Sequence, residues 1–448
     1  MLELKENKQV LIITGDMIPH ASTWGGAQRM YYLSEFLLNN DCNVTVFSIK
    51  KNTNNYYGNE INFNTSSLNV KNTFFKKIIY SKASNNISKN SENKSFINNL
   101  RNYIKSNRFL FKLIIFFDKK VFNEPGFLAG FISRSWISGA SISILSFIEV
   151  NKIENIIISA PPFGLLKIAV LIRKKFNKLN IVLDYRDPWN LWKENSFIAT
   201  ALEKKYLHSA STIVCTNINL AKDMALKFKL PIDKFKVIEN GYSSSGWSKH
   251  ENSDYKKIKS NFMTISYVGV MDLSLSNKFG YRDITNFLKA LDKCLIRGMS
   301  IKINFIGVTN QYSEYAKFLK NKYKHNIGII PLVDSDIANQ MMLQSDVLLL
   351  LHTATDNSSK YIVSGKLYDY IKANRVIYSI GSNKGIHADM IFKESLGVHS
   401  ENFTKEIYNK LRYLYRLWGD DKLHNKPKNV DKFSRESQYQ KYLDLIND

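Results

Sequence analysis

Four groups of residues in this 448-residue chain have the types and spacing to do chemistry. In IVLDYRDPW an apolar, strand-like run opens into Asp184, Arg186 and Asp187 just before Pro188. Charges gathered where a buried strand ends can orient a hydroxyl or exchange a proton, whereas the same Asp/Arg pair, if buried, pins the loop instead. In STWGGAQR, Gly25 and Gly26 stand between a strand-like run and a helical pattern. A backbone without side chains there lets a phosphate or sugar approach a helix N-terminus, although a plain tight turn also accounts for two glycines. YVGV sets Gly269 at another strand end, followed by Lys278 and Arg282, so that a glycine admits a diphosphate and a cation neutralises it. VSGKLYDYIKANRVI opens a helix at Ser364 and Gly365. It places Lys366 in the first turn, in reach of a phosphate, and Asp369 three residues later, able to accept from a ribose hydroxyl.

Other chemistries lack their residues. Cys42, Cys215 and Cys294 lie far apart with neither CxxC nor Cys/His spacing, so neither a zinc site nor a disulfide framework is supported. The glycine loop is not GxGxxG, which disfavours a nicotinamide enzyme. No Ser/His/Asp or Cys/His constellation offers a nucleophile. Against 39 Asp and Glu there are 63 Lys and Arg, a net charge of +24, so some face should attract an anionic partner: nucleic acid, anionic lipid or a phosphorylated small molecule. No recognised nucleic-acid motif accompanies that charge, and nucleic acid is set aside as a partner.

The elements that must position these residues alternate. Val10–Thr14, Asn43–Ile49, Asn155–Ala160, Asn180–Tyr185, Ser211–Thr216 and Lys236–Asn240 read as strands separated by helical patterns, the signature of a parallel sheet with crossover helices. Ser159–Pro162 and Cys215–Asn217 should end strands at the edge where Asp184 lies. A polar stretch, Gly241–Lys257, reads as a linker. A second alternation follows, with strands at Thr264–Val270, Lys302–Val308, Asn326–Leu332, Asp346–His352 and Arg375–Gly381. The expected organisation is α/β, two Rossmann-like doubly wound domains: 1–245, 246–425, and a C-terminal helix in 426–448 packing back toward the first. Residues 71–120 interrupt the first domain with twelve basic residues against Glu92 and Asp118. Their runs Phe74–Tyr80 and Arg108–Lys120 mix Phe and Ile with Lys, which suits a helix lying in a membrane interface or a core helix with a solvated basic face. No uninterrupted apolar run approaches the roughly 20 residues that cross a bilayer. With a charged start and few cysteines, the expectation is a cytoplasmic protein, peripheral at the inner face of the cell membrane.

The ordered set WGGAQR (Trp24–Arg29), DYRDPW (Asp184–Trp189), VIENGY (Val237–Tyr242), YVGV (Tyr267–Val270) and SGKLYDYIKANRVI (Ser364–Ile377) resembles the retaining glycosyltransferases of family 4, in the branch that builds bacterial surface polysaccharides. The resemblance covers almost the whole chain outside 71–120. It implies the GT-B fold, with an inter-domain cleft, the acceptor held by the first domain and the nucleotide sugar, a UDP-sugar, by the second. It implies no bound metal and no cofactor, because a helix N-terminus and the basic residues Lys366 and Lys278 or Arg282 neutralise the leaving diphosphate. Gly25, Gly26, Gly269, Lys366 and Asp369 would bind the donor, and the backbone of Pro331, Leu332 and Val333 would flank its base. Asp184, Arg186 and Asp187 would be the catalytic group, acting on a lipid-linked or glycan acceptor beside an anionic membrane surface. The chain departs from the family pattern in two respects: of two glutamates eight apart, the second is Asp369 and the first position holds Tyr361, and Arg186 stands where members often carry a His after the fourth strand. Alternatives are a nucleotide-sugar epimerase of the same fold, a basic membrane- or nucleic-acid-binding protein without catalysis, and a catalytically silent membrane-bound scaffold.

Overall fold

The computed structural model describes residues 8–17, 24–49, 108–124, 129–191, 196–247, 260–273, 282–353, 357–424 and 429–447. Residues 71–107 of the basic insertion, the Phe74–Tyr80 run and Lys278 lie outside the described residues. The chain divides into two units, Met1–Ile238 with Tyr439–Asp448, and Glu239–Gln438.

Unit 1 is built on β1 (Lys8–Thr14), β2 (Cys42–Ser48), β3 (Asn155–Ala160), β4 (Asn180–Tyr185), β5 (Thr212–Cys215) and β6 (Phe235–Val237). They pair in the order β2-β1-β3-β4-β5-β6, each neighbour parallel. The helices are α1 (Trp24–Leu38), α2 (Arg108–Phe116), α3 (Ala129–Val150), α4 (Lys167–Lys175), α5 (Phe197–Ser209) and α6 (Ile218–Phe228). All six residues of β3, NIIISA, are buried, as a strand covered on both faces requires. Strand order turns back between β1 and β3, so the loops after these strands meet where doubly wound sheets take up ligands.

Two expectations are corrected here. Gly25 and Gly26 belong to the first turn of α1, which starts at Trp24, and do not form a loop before it. One helix among the described residues, Gly130–Val150, is long and apolar enough to cross a membrane, with a mean hydropathy of 1.3, whereas the apolar runs showed no such candidate. Its serines break every contiguous run, which hid it. Ile137, Ala140, Ile144 and Ile148, at helical spacing, are buried against unit 1, and Arg134 binds Asp118 at 2.5 Å and Glu124 at 3.4 Å. One face of the helix thus packs within unit 1, although only 28% of the apolar window is buried.

Unit 2 repeats the design with β7 (Met263–Met271), α7 (Thr285–Ile296), β8 (Ile301–Val308), α8 (Glu314–Tyr323), β9 (Ile327–Pro331), α9 (Ser335–Leu343), β10 (Val347–His352), α10 (Lys366–Ala373), β11 (Val376–Gly381), α11 (Ile386–Lys393), β12 (Gly397–Ser400) and α12 (Thr404–Gly419). Its parallel sheet has the order β12-β11-β10-β7-β8-β9, and β7 stands at the turn-back point. The start of the stretch expected as a linker is packed: Tyr242 and Trp247 are 1% and 4% exposed, and Tyr242 bridges Ser434 within unit 2. Polar composition concealed these two aromatic anchors.

The last helix, α13 (Arg435–Asn447), buries Tyr439, Tyr442 and Ile446 in the core of unit 1 beside Val10, Ile12 and Val182. The main polar tie is Asp184. Its Oδ1 accepts from Arg29 Nη2 at 3.0 Å and Tyr442 Oη at 2.6 Å, and its Oδ2 accepts from Ser159 Oγ at 2.9 Å. Arg29 also donates to the Ile238 carbonyl at 2.8 Å. With Asp184 and Arg29 at 0% and 4% exposure, removing either charge strands the other. Asp184→Asn should therefore destabilise unit 1 by about 3–5 kcal/mol, and Tyr442→Phe by about 1–3 kcal/mol. Denaturant unfolding of both variants checks this, with Asp184→Asn expected to be the more damaging.

Candidate functional site

The strongest constellation lies at the C-terminal edge of the unit 2 sheet. Strand β7 is irregular between Val268 and Met271 in its pairing with β8, and Gly269 there has φ +136°. A Cβ at Gly269 would lie 1.9 Å from Lys366 Cε, so the lysine stem passes directly over the glycine. Gly307, at φ +96°, repeats the device on β8, where a Cβ would lie 2.7 Å from the Gly269 carbonyl oxygen. Only glycine meets both the backbone angle and the space at Gly269.

Helix α10 supplies the lysine, and several bonds fix the helix. Tyr370, one turn after Lys366, accepts from the Val268 N–H at 2.8 Å, locking α10 to the end of β7. His387 Nε2 accepts from the Ser364 N–H at 2.9 Å, holding the loop that enters α10. Burial first, and then His352 and His399, push the His387 pKa down to about 3, which keeps the ring neutral and able to accept. Among the described residues nothing lies within 4 Å of the Cβ direction at Gly365, just before α10.

Lys366 Nζ lies 5.5 Å from the Tyr267 ring centre, and the lysine is half-buried. Burial, and next the charge of Arg282, push its pKa down to about 8, with Asp369 opposing. It makes no ion pair among the described residues. Arg282 is exposed and donates to the Val270 carbonyl at 2.5 Å, while the neighbouring Asp283 N–H donates to Thr353 Oγ1 at 2.9 Å. Two cations therefore converge on one strand end and one helix N-terminus, an arrangement complementary to a diphosphate.

The structure distributes the remaining candidates. Asp369 accepts from the Trp247 side chain and faces the charge of Arg435, while its burial holds the carboxyl above its usual range. Pro331 ends β9 opposite Val308, on the same sheet edge as Gly269; Pro331 and Leu332 are exposed and Val333 is half-buried. Tyr361 is buried.

At the unit 1 edge the three charges of DYRDPW part company. Asp184 points inward and is fully engaged by Arg29, Tyr442 and Ser159, the pinning pair. Arg186 donates from its side chain to the Pro161 carbonyl, and Thr216 Oγ1 donates to the Arg186 carbonyl at 3.1 Å. Asn217 caps α6, accepting from the Leu220 N–H at 3.0 Å. Asp187 is half-buried, and burial raises its carboxyl pKa against the pull of Arg186. Of the three charges it alone makes no hydrogen bond among the described residues, which leaves it available to a ligand. Gly25 and Gly26 open α1 in unit 1, whereas Gly269 belongs to unit 2. No group of three His, Cys, Asp or Glu able to hold a metal ion occurs among the described residues.

Sequence reading missed His387 and Tyr370. Neither has a local signal, since each acts on a backbone group far along the chain: Val268 is 102 residues before Tyr370, and Ser364 is 23 before His387.

No family model matches the chain, and no curated protein matches it. Solved structures do. A glycosyltransferase from Rickettsia africae superposes with a TM-score of 0.61 at 14% identity, covering 98% of each chain. HepE from Anabaena in complex with UDP gives 0.55 at 12% identity, over 98% of this chain and 99% of that one. UDP-GlcNAc 2-epimerase from Methanocaldococcus jannaschii gives 0.51 at 10%, over 98% and 99%. At such identities the likeness establishes the fold: two Rossmann-like units in succession, of the GT-B type.

Gly269→Ala should lose the Lys366 packing and add backbone strain of about 1–3 kcal/mol. A lower melting temperature for unit 2, with tenfold or greater loss of affinity for inorganic pyrophosphate by calorimetry, is the expected result.

Proposed function

We propose that the protein is a glycosyltransferase that takes a sugar from a nucleoside diphosphate sugar, a UDP-sugar, bound on unit 2. The observation that carries this reading is Lys366 lying over Gly269 beside Arg282 at the mouth of α10. Those cations and the helix N-terminus would neutralise the diphosphate as it leaves, the charge that develops in the transition state. Pro331–Val333 would flank the base. Asp369, a turn beyond Lys366, would act on the ribose side through its hold on Trp247. The fold it shares with the UDP-bound HepE structure supports the same choice of donor.

The acceptor would bind on unit 1, with Asp187 orienting its attacking hydroxyl and Arg186 holding the loop. Transfer would retain configuration: the hydroxyl attacks the anomeric carbon from the face the diphosphate leaves, its proton passes to a phosphate oxygen, and the glycosidic bond forms as the sugar–phosphate bond breaks. No protein nucleophile or bound metal enters that scheme. A lipid-linked glycan, such as a polyprenyl-diphosphate sugar, in surface polysaccharide assembly is the acceptor class we favour. A nucleotide-sugar epimerase is the second reading, favoured by the fold likeness to UDP-GlcNAc 2-epimerase. It would need no acceptor, and analysis of the sugar product separates the two.

Thermal-shift screening against UDP, ADP and GDP tests the donor. The matching diphosphate at 100 times its dissociation constant should add about 2.7 kcal/mol of stability. Lys366→Ala should weaken its binding by roughly 1.5–3 kcal/mol. No shift with any nucleoside diphosphate would remove the donor reading. On the acceptor side, Asp187→Asn should cut turnover at least tenfold with the melting temperature nearly unchanged, whereas equal losses in both would make Asp187 structural.

A further inference from the structure

We propose that the outward face of α2, with the start of α5, is a docking surface for an anionic lipid bilayer. Helix α2 and the π-helical turn that continues it, Phe117–Val121, carry large apolar side chains on both sides. Inward, Ile114 is buried, and Asp118 is buried on Arg134. Outward, Leu113, Phe116 and Phe117 are 40%, 53% and 43% exposed, three large apolar side chains at i, i+3 and i+4 where a soluble helix carries polar ones.

A second pair extends the patch. Ser196, which caps α5, donates to the Val121 carbonyl, and Trp189 Nε1 donates to the Phe122 carbonyl at 2.9 Å, drawing the α5 start alongside the π turn. The first residues of α5, Phe197 and Ile198, are 86% and 50% exposed. Among the described residues of α2 and the turn that continues it, the exposed charge has one sign. Lys112, Lys119 and Lys120 are exposed and pair with no carboxylate among the described residues, and the one acidic residue of the stretch, Asp118, faces inward.

Exposed apolar side chains beside exposed lysines fit a bilayer surface: the rings enter the acyl boundary while the lysine stems lie along it and place ammonium groups among lipid phosphates. Exposed aromatic side chains beside exposed lysines argue for this occupant over a second copy of a chain that itself carries +24. The surface does not depend on the donor reading, because it lies on the other unit.

Sedimentation of the full chain with vesicles of phosphatidylcholine alone and with added phosphatidylglycerol tests it. The protein should bind the anionic vesicles at least about tenfold better, since each lysine near an anionic surface contributes about fivefold. Leu113→Ser/Phe116→Ser/Phe117→Ser should lose binding in low salt as well as high. Lys112→Gln/Lys119→Gln/Lys120→Gln should bind at least about tenfold more weakly and lose the salt dependence. Pyrophosphate affinity, read on unit 2, should stay unchanged in both, so failure here and failure of the donor reading are separate results. Absence of binding to anionic vesicles, or glutamine and serine variants that bind like the parent, overturns the proposal. So does a serine variant whose main change is dissociation of a dimer, or a fall in melting temperature with membrane binding intact, which would assign the patch to a second copy or to another segment of this chain.

Discussion

An ammonium group held over a glycine, with no carboxylate paired to it among the described residues, is the constraint around which unit 2 is arranged. Desolvating Lys366 is unfavourable, and its pKa falls to about 8 as a result. The fold nonetheless fixes it there with several independent devices. Gly269 opens the space, Gly307 lets the neighbouring strand end approach, Tyr370 locks α10 to Val268, and neutral His387 holds Ser364. A site tuned for stability alone would place a carboxylate within reach of that nitrogen. Its convergence with Arg282 is the observation on which the proposed donor site rests.

Unit 1 spends its charges differently. Asp184 and Asp187 stand three residues apart, yet the first is buried and saturated by Arg29, Tyr442 and Ser159, while the second is half-buried and makes no hydrogen bond among the described residues. Strand alternation and the Pro188 corner account for the split. The buried pair ties α1 and α13 to β4, and the edge that presents Asp187 depends on it. A buried ion pair adds little net stability over apolar packing, but it tolerates no partial loss, and this gives the C-terminal helix one docked register.

Much of this was legible in the sequence because parallel strands covered on both faces must be continuous Ile/Val/Leu runs. NIIISA, NIVLDY and VLLLLH sit where their composition put them, and both six-stranded sheets follow. The meeting of Gly269 and Lys366 was legible for the same reason: a strand end and a helix start at one edge of a parallel sheet are brought together by topology across 97 residues of chain. What depends on a distant partner was not legible. Nothing near Asp184 announces Arg29, and nothing near His387 announces Ser364. Periodicity diluted by serine hid α3, and aromatic anchors inside a polar stretch made Gly241–Trp247 look like a linker. The Gly25–Gly26 pair looked like a loop because glycine is uncommon in a helix, yet the first turn tolerates it.

The pH dependence of UDP affinity above neutrality tests the central claim most directly. Lys366 carries its charge below about pH 8 and loses it above, and a bound diphosphate favours the charged form. Calorimetric affinity should therefore hold steady up to about pH 8 and then fall, by as much as about tenfold per pH unit. Lys366→Arg, which stays charged, should flatten the fall. An affinity that declines in parallel in the parent and in Lys366→Arg, or does not decline at all up to pH 9.5, would contradict the assignment of Lys366 to the diphosphate.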